Sequence, residues 1–485
     1  MVGIRSYGGY IPRYRLKGMA IVQAMAWMNP AIMAHAMGEK AVANFDEDPI
    51  TMAVAAGIDA LRGMDRAAVE GVYFASTTMP YRERLNTGII IPALNVRDQV
   101  RAADFGGGLK AGTTALLAAL EGVESGRLNN VVVTAADCRL GMAATAQEMI
   151  FGDAAAAFVV ARENVIAEFK GSYSVTYDFA DHIRTSDAKL DRQWEERWIR
   201  DMGYAKFIPE AIGGLLQKYG VKLSDFAKVI YPCNNAGARK DINKKLGIAP
   251  QIEQNTLQAE VGDSGTAWPL VMLAQALETA KPGDKLLVVS YGSGADALFF
   301  EVTEEIQNKP KNIGVSGYLA RKADLGSYTK YLVWRELLPA DMGMRNEVAD
   351  YTAFSMLWRR RKEVLGLWGS RCTACGTPQW PPQRICANPA CNAVDKMEPY
   401  PFADKIAHII SYTGDMLMLG PNPPLLTARL EFEGGGRNMF ELTDCTLEEL
   451  STGKAMMMTF RRKYHDTARN IIGYFWKAMP AQEVK

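Results

Sequence analysis

The chain has 485 residues, 48% hydrophobic and 22% charged; it is too long for one core and suits a globular protein of two or three domains. A formal net charge of +1 offers no concentrated basic face, which excludes nucleic acid and an anionic membrane as main partners. Four of the seven cysteines cluster between positions 372 and 391, as expected of thiols kept reduced in an intracellular, cytoplasmic setting.

The N-terminal MVGIRSYGGYIPRYR reads as a strand and a turn, not as a secretory leader. Met19–Gly38 is nearly uncharged, but Asn29-Pro30 interrupts it. It is expected to be a buried or pocket-lining helical segment rather than a membrane span. Lining a pocket, its methionines and alanines would suit a bulky apolar acyl chain or ring; the alternative is plain core packing.

Over the first 300 residues, short apolar runs suited to buried strands occur at Val72–Ala75, Val131–Ala135, Ala156–Val160, Val229–Tyr231, Leu286–Ser290 and Ala297–Val302. Longer helical patterns separate them at Thr51–Arg62, Lys110–Gly122, Lys206–Tyr219 and Ala267–Ala280. This order predicts an α/β layered fold. The layout looks duplicated. Phe151-Gly152-Asp153 precedes one small-residue strand and Tyr291-Gly292-Ser293-Gly294 precedes another.

The pattern loosens from Asn308 to Ala349, with a helix expected at 328–337, and a basic-aromatic helix follows Tyr351. Its RRRK run, 359–362, reads as a solvated face. Five or so short strands close the chain, with Gly434-Gly435-Gly436 as a hairpin turn, and they suit a small all-β OB-type barrel. The expected units are 1–165 and 166–345 for the two halves, 346–395 for the helix and a zinc ribbon, and 396–485 for the barrel.

Cys372-x2-Cys375 and Cys386-x4-Cys391 form two closely spaced pairs able to fold two knuckles around one tetrahedral ion. Soft thiolates select zinc or iron, and four of them leave no open coordination position. The expected site is therefore structural Zn2+ rather than catalytic metal.

VGIRSYGGYIPRYRLK, DEDPITMAVAAGIDAL, STTMPY, LKAGTTAL, GSYSVTYD, KPGDKLLVVSYGSGADA and YTKYLVWR occur in that order. Together they resemble archaeal and bacterial hydroxymethylglutaryl-CoA synthases of the thiolase superfamily, over residues 1–340. CTACG, FELTDC and GYFW make residues 365–485 similar to the zinc-ribbon/OB domains that accompany thiolase-like proteins. The resemblance implies a duplicated thiolase-like fold and a coenzyme A thioester, an acyl-CoA, as substrate. It also implies a homodimer or larger assembly, with a related thiolase-like chain as a further possible partner.

The family's catalytic residues do not carry over. Leu109 occupies the position of the nucleophilic cysteine, and Thr77 that of the acid/base glutamate. Pro232, or Cys233 with a one-residue shift, replaces the histidine within Tyr231-Pro232-Cys233-Asn234-Asn235. The Gly-Asn-x-x-Ser motif becomes Gly262-Asp263-Ser264-Gly265. Covalent acyl transfer needs a thiolate, which leucine cannot supply.

A helix starting near Leu109 would turn free backbone N–H groups toward an enolate, with Gly106–Gly108 allowing close approach. Retro-aldol cleavage of a β-hydroxyacyl-CoA needs only that stabilisation and a base. Asp263, Tyr291, Cys233 and Tyr81 are the candidate bases, and Asn235 joins them as a catalytic candidate. Asp263 stands out because an apolar pocket raises a carboxyl pKa toward neutrality. Gly108, Leu109, Lys110, Thr77, Ser264 and Ser293 are the candidate substrate contacts, Lys110 facing either CoA phosphates or solvent.

His182, in YDFADHIR, reads as a hydrogen-bonded structural residue; His35, His408 and His465 show no partner, and Cys138 reads as structural. The leading expectation is aldol or retro-aldol chemistry. The alternatives are a non-catalytic acyl-CoA-binding subunit or a Claisen-type acyltransferase using another nucleophile.

Overall fold

One nine-stranded sheet carries the body of the protein in a computed structural model that describes residues 1–342, 352–418 and 420–482. Its order is Lys228–Ile230, Lys285–Tyr291, Gly294–Val302, Ala167–Thr176, Gly3–Tyr10, Ala154–Ala161, Val131–Asp137, Gly71–Ala75 and Arg101–Phe105. The pairing repeats on either side of the contact between Gly3–Tyr10 and Ala167–Thr176. Each side runs antiparallel, antiparallel, then parallel. The expected duplication is present in the hydrogen bonding.

The strands are buried because they are apolar on both faces: Val131–Asp137 and Ala154–Ala161 are buried at every position. Helices Pro49–Ala60, Ala111–Glu124 and Trp268–Thr279 pack into the same core. Leu270, Leu273 and Leu277 are fully buried, each contributing about 2–3 kcal/mol. Asp48 starts the first of these helices with a reciprocal capping box to Thr51. Gly112 lies against the Thr266 carbonyl, where a Cβ would sit 2.4 Å from the oxygen. The heads of the second and third helices meet through that glycine.

Met19–Gly38 departs from expectation. Only the helix Gly18–Met25 and a 3-10 turn Pro30–His35 form, and Trp27, Met28, Met33 and Met37 are exposed, Met37 to 94%. Asn29 caps the turn through Ala31 N and reaches the Ala144 carbonyl, which holds the segment on the surface. Its methionines do not line the main cleft. Among the described residues no helix is long and apolar enough to cross a membrane.

The basic-aromatic segment splits into two short helices, Phe354–Arg359 and Arg361–Leu365. The boundary expected at 345/346 lies outside the described residues. Trp368–Cys372, Pro378–Gln379 and Met397–Pro401 form the ribbon sheet. Five antiparallel strands follow in the order Arg437–Glu441, Leu425–Phe432, Ala407–Asp415, Ala455–Asp466, Ile471–Pro480. A parallel bridge from Leu442 to Ala478 joins the two edges, so the sheet is a partly closed barrel.

Barrel and body share a buried ionic seam. Arg461, 1% exposed, donates to Asp444 at 2.8 Å and to the Tyr10 hydroxyl at 3.2 Å, and pairs with Glu47. Lys477 reaches Asp46 at 3.0 Å, and Arg321 reaches Asp444 at 3.0 Å. Removing one partner of such a pair costs about 3–5 kcal/mol, because the other charge stays buried.

Candidate active site

The ionic seam borders a cleft of about 1510 Å³ lined by the body and the barrel together. The body supplies Ser76–Arg82, which follow strand Gly71–Ala75, and Gly106–Leu109, which precede helix Ala111–Glu124. It adds Asp181–Ser186 and the pair Gly292-Ser293; the barrel adds Arg462, His465, Asn470 and Ile472.

A buried carboxylate fixes the floor. One Asp137 oxygen accepts from Ser76 Oγ at 2.9 Å, Thr77 N at 2.7 Å, Thr78 N at 3.0 Å and Thr78 Oγ1 at 2.8 Å. The other accepts from the Thr266 amide and hydroxyl, both at 2.8 Å. Six donors hold the loop of one half to the helix head of the other. Gly292 brings the second half against the first: a Cβ there would lie 2.8 Å from Leu109 N and 2.9 Å from Lys110 N. Among the described residues, the amides of Leu109 and Lys110 donate to no backbone carbonyl, and they mark the positive end of a 14-residue helix.

The sequence-derived candidates separate into two groups. Thr77, Tyr81, Gly108, Leu109 and Ser293 line the cleft. Asp263, Tyr291, Cys233, Asn235, Lys110 and Ser264 do not.

Asp263 lies in no apolar pocket. One of its oxygens accepts from Arg139 at 3.4 Å and Gly265 N at 2.9 Å, and the other from Asn234 Nδ2 at 3.2 Å. Burial works against the Arg139 charge, but Asp263 and Asp191 outweigh it and raise its pKa. Asp263 is thereby one arm of a buried ion pair. Lys110 is held within the body: partly exposed, it pairs with buried Asp296 at 3.2 Å and donates to Thr176 Oγ1 at 2.9 Å. Asn235 caps helix Ala236–Leu246 through Ala238 N, and Ser264 is 1% exposed.

Cys233 is 1% exposed, and burial pushes its thiol up to about 11. A buried thiol with its pKa raised is poorly suited to act as a nucleophile. Tyr291 is buried, and burial followed by the Asp181 charge raises its pKa strongly, which keeps the phenol protonated. The Tyr81 hydroxyl accepts from Ile472 N at 2.9 Å and so clasps the barrel.

The structure adds a residue read from sequence as merely structural. His182 lines the cleft, with Nδ1 2.8 Å from Asp181 Oδ1. Burial opposes Asp181 ionisation, but the hydrogen bond and charge of His182 more than offset it and lower its pKa. Asp191 braces this wall, taking Arg139 Nε and Arg184 Nε at 2.9 Å each. His465 forms a second imidazole–carboxylate pair on the cleft, with Glu336 at 3.3 Å. The adjacent letters Asp-His were the only sequence signal for the first pair; nothing in sequence signalled the second.

The four ribbon cysteines place one sulfur each within 4.8 Å of the others. Cys372 and Cys391 sulfurs are 3.9 Å apart, and those of Cys375 and Cys386 3.5 Å. A tetrahedral ion with sulfurs at about 2.3 Å needs edges of about 3.8 Å. The donor set therefore fits zinc, and all four positions are protein thiolates.

A family model described as "ChsH2, rubredoxin-like zinc ribbon domain" matches residues 362–398. The hydroxymethylglutaryl-CoA synthase of Caldivirga maquilingensis is 31% identical over 345 residues, which is 70% of this chain and 98% of the relative. The chain belongs to the hydroxymethylglutaryl-CoA synthase family. The synthase of Archaeoglobus fulgidus is 32% identical over 348 residues, again 70% of this chain and all of the relative. Among solved structures, a hydroxymethylglutaryl-CoA synthase complexed with CoA superposes with a TM-score of 0.62 at 17% identity. It covers 73% of this chain and 95% of its own. A 3-oxoacyl-[acyl-carrier-protein] synthase III from Aquifex aeolicus gives 0.57 at 20% identity, over 62% of this chain and all of its own. The thiolase-like fold of the family thus accounts for the body, and the ribbon and barrel extend it.

Proposed function

We propose that the chain cleaves or forms the carbon–carbon bond of a β-hydroxyacyl-CoA by aldol chemistry, without a covalent acyl-enzyme. The observation that carries this reading is the His182–Asp181 pair on a cleft that presents leucine, not cysteine, at the head of helix Ala111–Glu124. Asp181 accepts a hydrogen bond from Nδ1–H, which leaves Nε2 as the base. In the cleavage direction Nε2 removes the proton of the β-hydroxyl. The bond between α and β carbons breaks, the β carbon becomes a carbonyl, and the electron pair passes to the thioester enolate. The backbone amide of Leu109, on the cleft at the head of helix Ala111–Glu124, is suited to hold the enolate oxygen. The enolate then takes a proton at its α carbon. Atoms and charge balance without a co-reactant.

The Claisen alternative has less support, since Cys233 is a buried thiol with its pKa raised. The test is incubation with a panel of β-hydroxyacyl-CoA esters, followed by mass spectrometry, wild type beside His182→Gln. An aldehyde or ketone plus a shortened acyl-CoA, formed by the wild type and reduced about 10²–10⁴-fold in the variant, supports the proposal. Tight acyl-CoA binding with no turnover of any ester overturns it and favours a non-catalytic binding subunit.

A further inference from the structure

Strand Ala455–Asp466 brings two cleft residues from the barrel, Arg462 and His465. In an unbroken strand, residues three apart face opposite sides of the sheet. Here the pairing with Ile471–Pro480 shifts: Arg462 opposes Tyr474, Tyr464 opposes Gly473, and His465 opposes Ile472. Lys463 is the extra residue of a β-bulge, and this single insertion turns Arg462 and His465 to the same face.

Both then converge on Glu336 of the body. Arg462 Nη1 lies 3.1 Å from its carboxylate and His465 Nδ1 3.3 Å, with Lys189 Nζ at 3.9 Å. Glu336 holds φ at +55°, a conformation that non-glycine residues rarely adopt. The hydrogen bond from His465 depresses the carboxyl to about 2 despite partial burial, with Arg462 and Lys189 adding to it. The pair repeats the arrangement of His182 and Asp181: a carboxylate on Nδ1 and, among the described residues, no hydrogen bond at Nε2. The imidazole ring is 29% exposed, accessible to a ligand.

Aldol cleavage has two proton transfers at two different atoms. The first removes a proton from the β-hydroxyl oxygen. The second adds one to the α carbon. A base that has just taken the hydroxyl proton sits beside the departing carbonyl, not beside the α carbon. Two imidazoles on the cleft, His182 from the body and His465 from the barrel, are on hand for the two transfers.

We propose that His465, supplied by the fused barrel and oriented by Glu336, is the acid that protonates the α carbon of the thioester enolate. This deepens the aldol reading above and rests on it. The imidazolium gives its Nε2 proton to carbon and regains one from solvent. His182 releases the hydroxyl proton to solvent, so nothing accumulates. The barrel then acts as part of the catalytic site and not merely as its wall.

By microscopic reversibility, His465 also removes the α proton of the product acyl-CoA. The experiment incubates acetyl-, propionyl- and octanoyl-CoA with the full-length protein in D2O and reads deuterium at the α carbon by mass spectrometry. Cleavage of the β-hydroxyacyl-CoA panel is measured in parallel. Expected is exchange by the wild type that falls at least about a hundredfold in His465→Gln with the Kd for the same ester unchanged. Lys463→Gln, at an exposed position, serves as the folding and surface control. Cleavage without exchange, or exchange retained in His465→Gln, overturns the inference and leaves the aldol reading standing. Absence of both cleavage and exchange in the wild type overturns both.

Discussion

Asp181 and His182 are neighbours in the chain and are also joined through their side chains, Oδ1 to Nδ1 at 2.8 Å. Neither a helix nor a strand turns consecutive side chains toward each other. The irregular entry to the short strand His182–Ile183 permits it, with the Asp181 carbonyl held by Trp194 N at 2.9 Å. Asp181→Asn retains the shape but loses the charge that holds the ring. Since His182 outweighs burial and lowers the Asp181 pKa, the carboxylate stays ionised from pH 5 to 8. The variant is therefore expected to lose activity about 10²-fold or more across that range. A pH series of kcat/KM checks this.

Much of this protein is legible in its sequence because the signals are local. Val131–Ala135 and Leu286–Ser290 are apolar on both faces, so burial follows from composition. The four ribbon cysteines carry their ligand set in their spacing. The proton-transfer site is different. Asp263 looked like a base in an apolar pocket until Arg139, 124 positions away, arrived beside it. Lys110 looked free for phosphate until Asp296, 186 positions on, claimed it. His465 meets Glu336 across 129 positions and an unforeseen bulge. Long-range charge pairing decides these roles, and periodicity carries no information about it.

Cysteine chemistry offers a second test. Cys138 lines the cleft and Cys233 is buried away from it in a separate apolar cluster, both with pKa values raised by burial, Cys233 to about 11. Iodoacetamide at pH 7 is expected to leave wild-type turnover intact, because thiolate is the reactive form. Leu109→Cys is expected to be alkylated, the new thiol standing on the cleft at a helix head. Peptide mapping locates the label. Rapid inactivation of wild type with label on Cys233 would falsify the mechanism without a covalent acyl-enzyme.

Lys110 tests a structural assignment. Lys110→Met leaves the Asp296 carboxylate, 3% exposed, without its cation, though Thr113 Oγ1 still donates at 2.9 Å. The expected loss is about 2 kcal/mol, below the range for a fully enclosed pair because the lysine side chain is 17% exposed. Denaturant melts measure the loss. Acyl-CoA affinity of the folded variant is expected to match wild type, whereas a phosphate contact would weaken it.

The ionic seam predicts a pH dependence. Burial raises the Glu47 carboxyl from 4.5 to about 7, against the pull of Arg461. A folded pKa above the unfolded one means that stability is fully present below about 4.5 and is lost as pH rises through about 7. Asp444, depressed by Arg461 and Arg321 against burial, contributes in the opposite sense and only at more acid pH. Between pH 5 and 7 Glu47 is expected to lower the unfolding free energy of wild type, with a limiting slope of about 1.4 kcal/mol per pH unit, and the Tm with it. Glu47→Gln cannot titrate. Whatever its stability at pH 5, its Tm profile is expected to be flatter, and an unchanged slope assigns the effect elsewhere.

Among the described residues none of the zinc ribbon lines the cleft, and packing through the barrel sets the last expectation. A Cβ on Gly369 would sit 2.5 Å from the Phe402 ring, so the ribbon strand lies directly on that side chain. Phe402 packs on Phe432 at 4.9 Å, and Phe432 on Phe440 at 5.9 Å, within the barrel that carries His465. Metal analysis is expected to return one zinc per chain, lost in Cys372→Ser and Cys386→Ser, whose thiols are buried. Because four thiolates close the coordination sphere, the ion takes no part in the reaction. Stripping it with a thiol-directed mercurial and a chelator is expected to lower Tm first and activity only as the barrel loosens. Activity and near-ultraviolet circular dichroism should then decay together. Instant loss of turnover at unchanged ellipticity would instead require an open coordination site, which a four-cysteine ribbon does not provide.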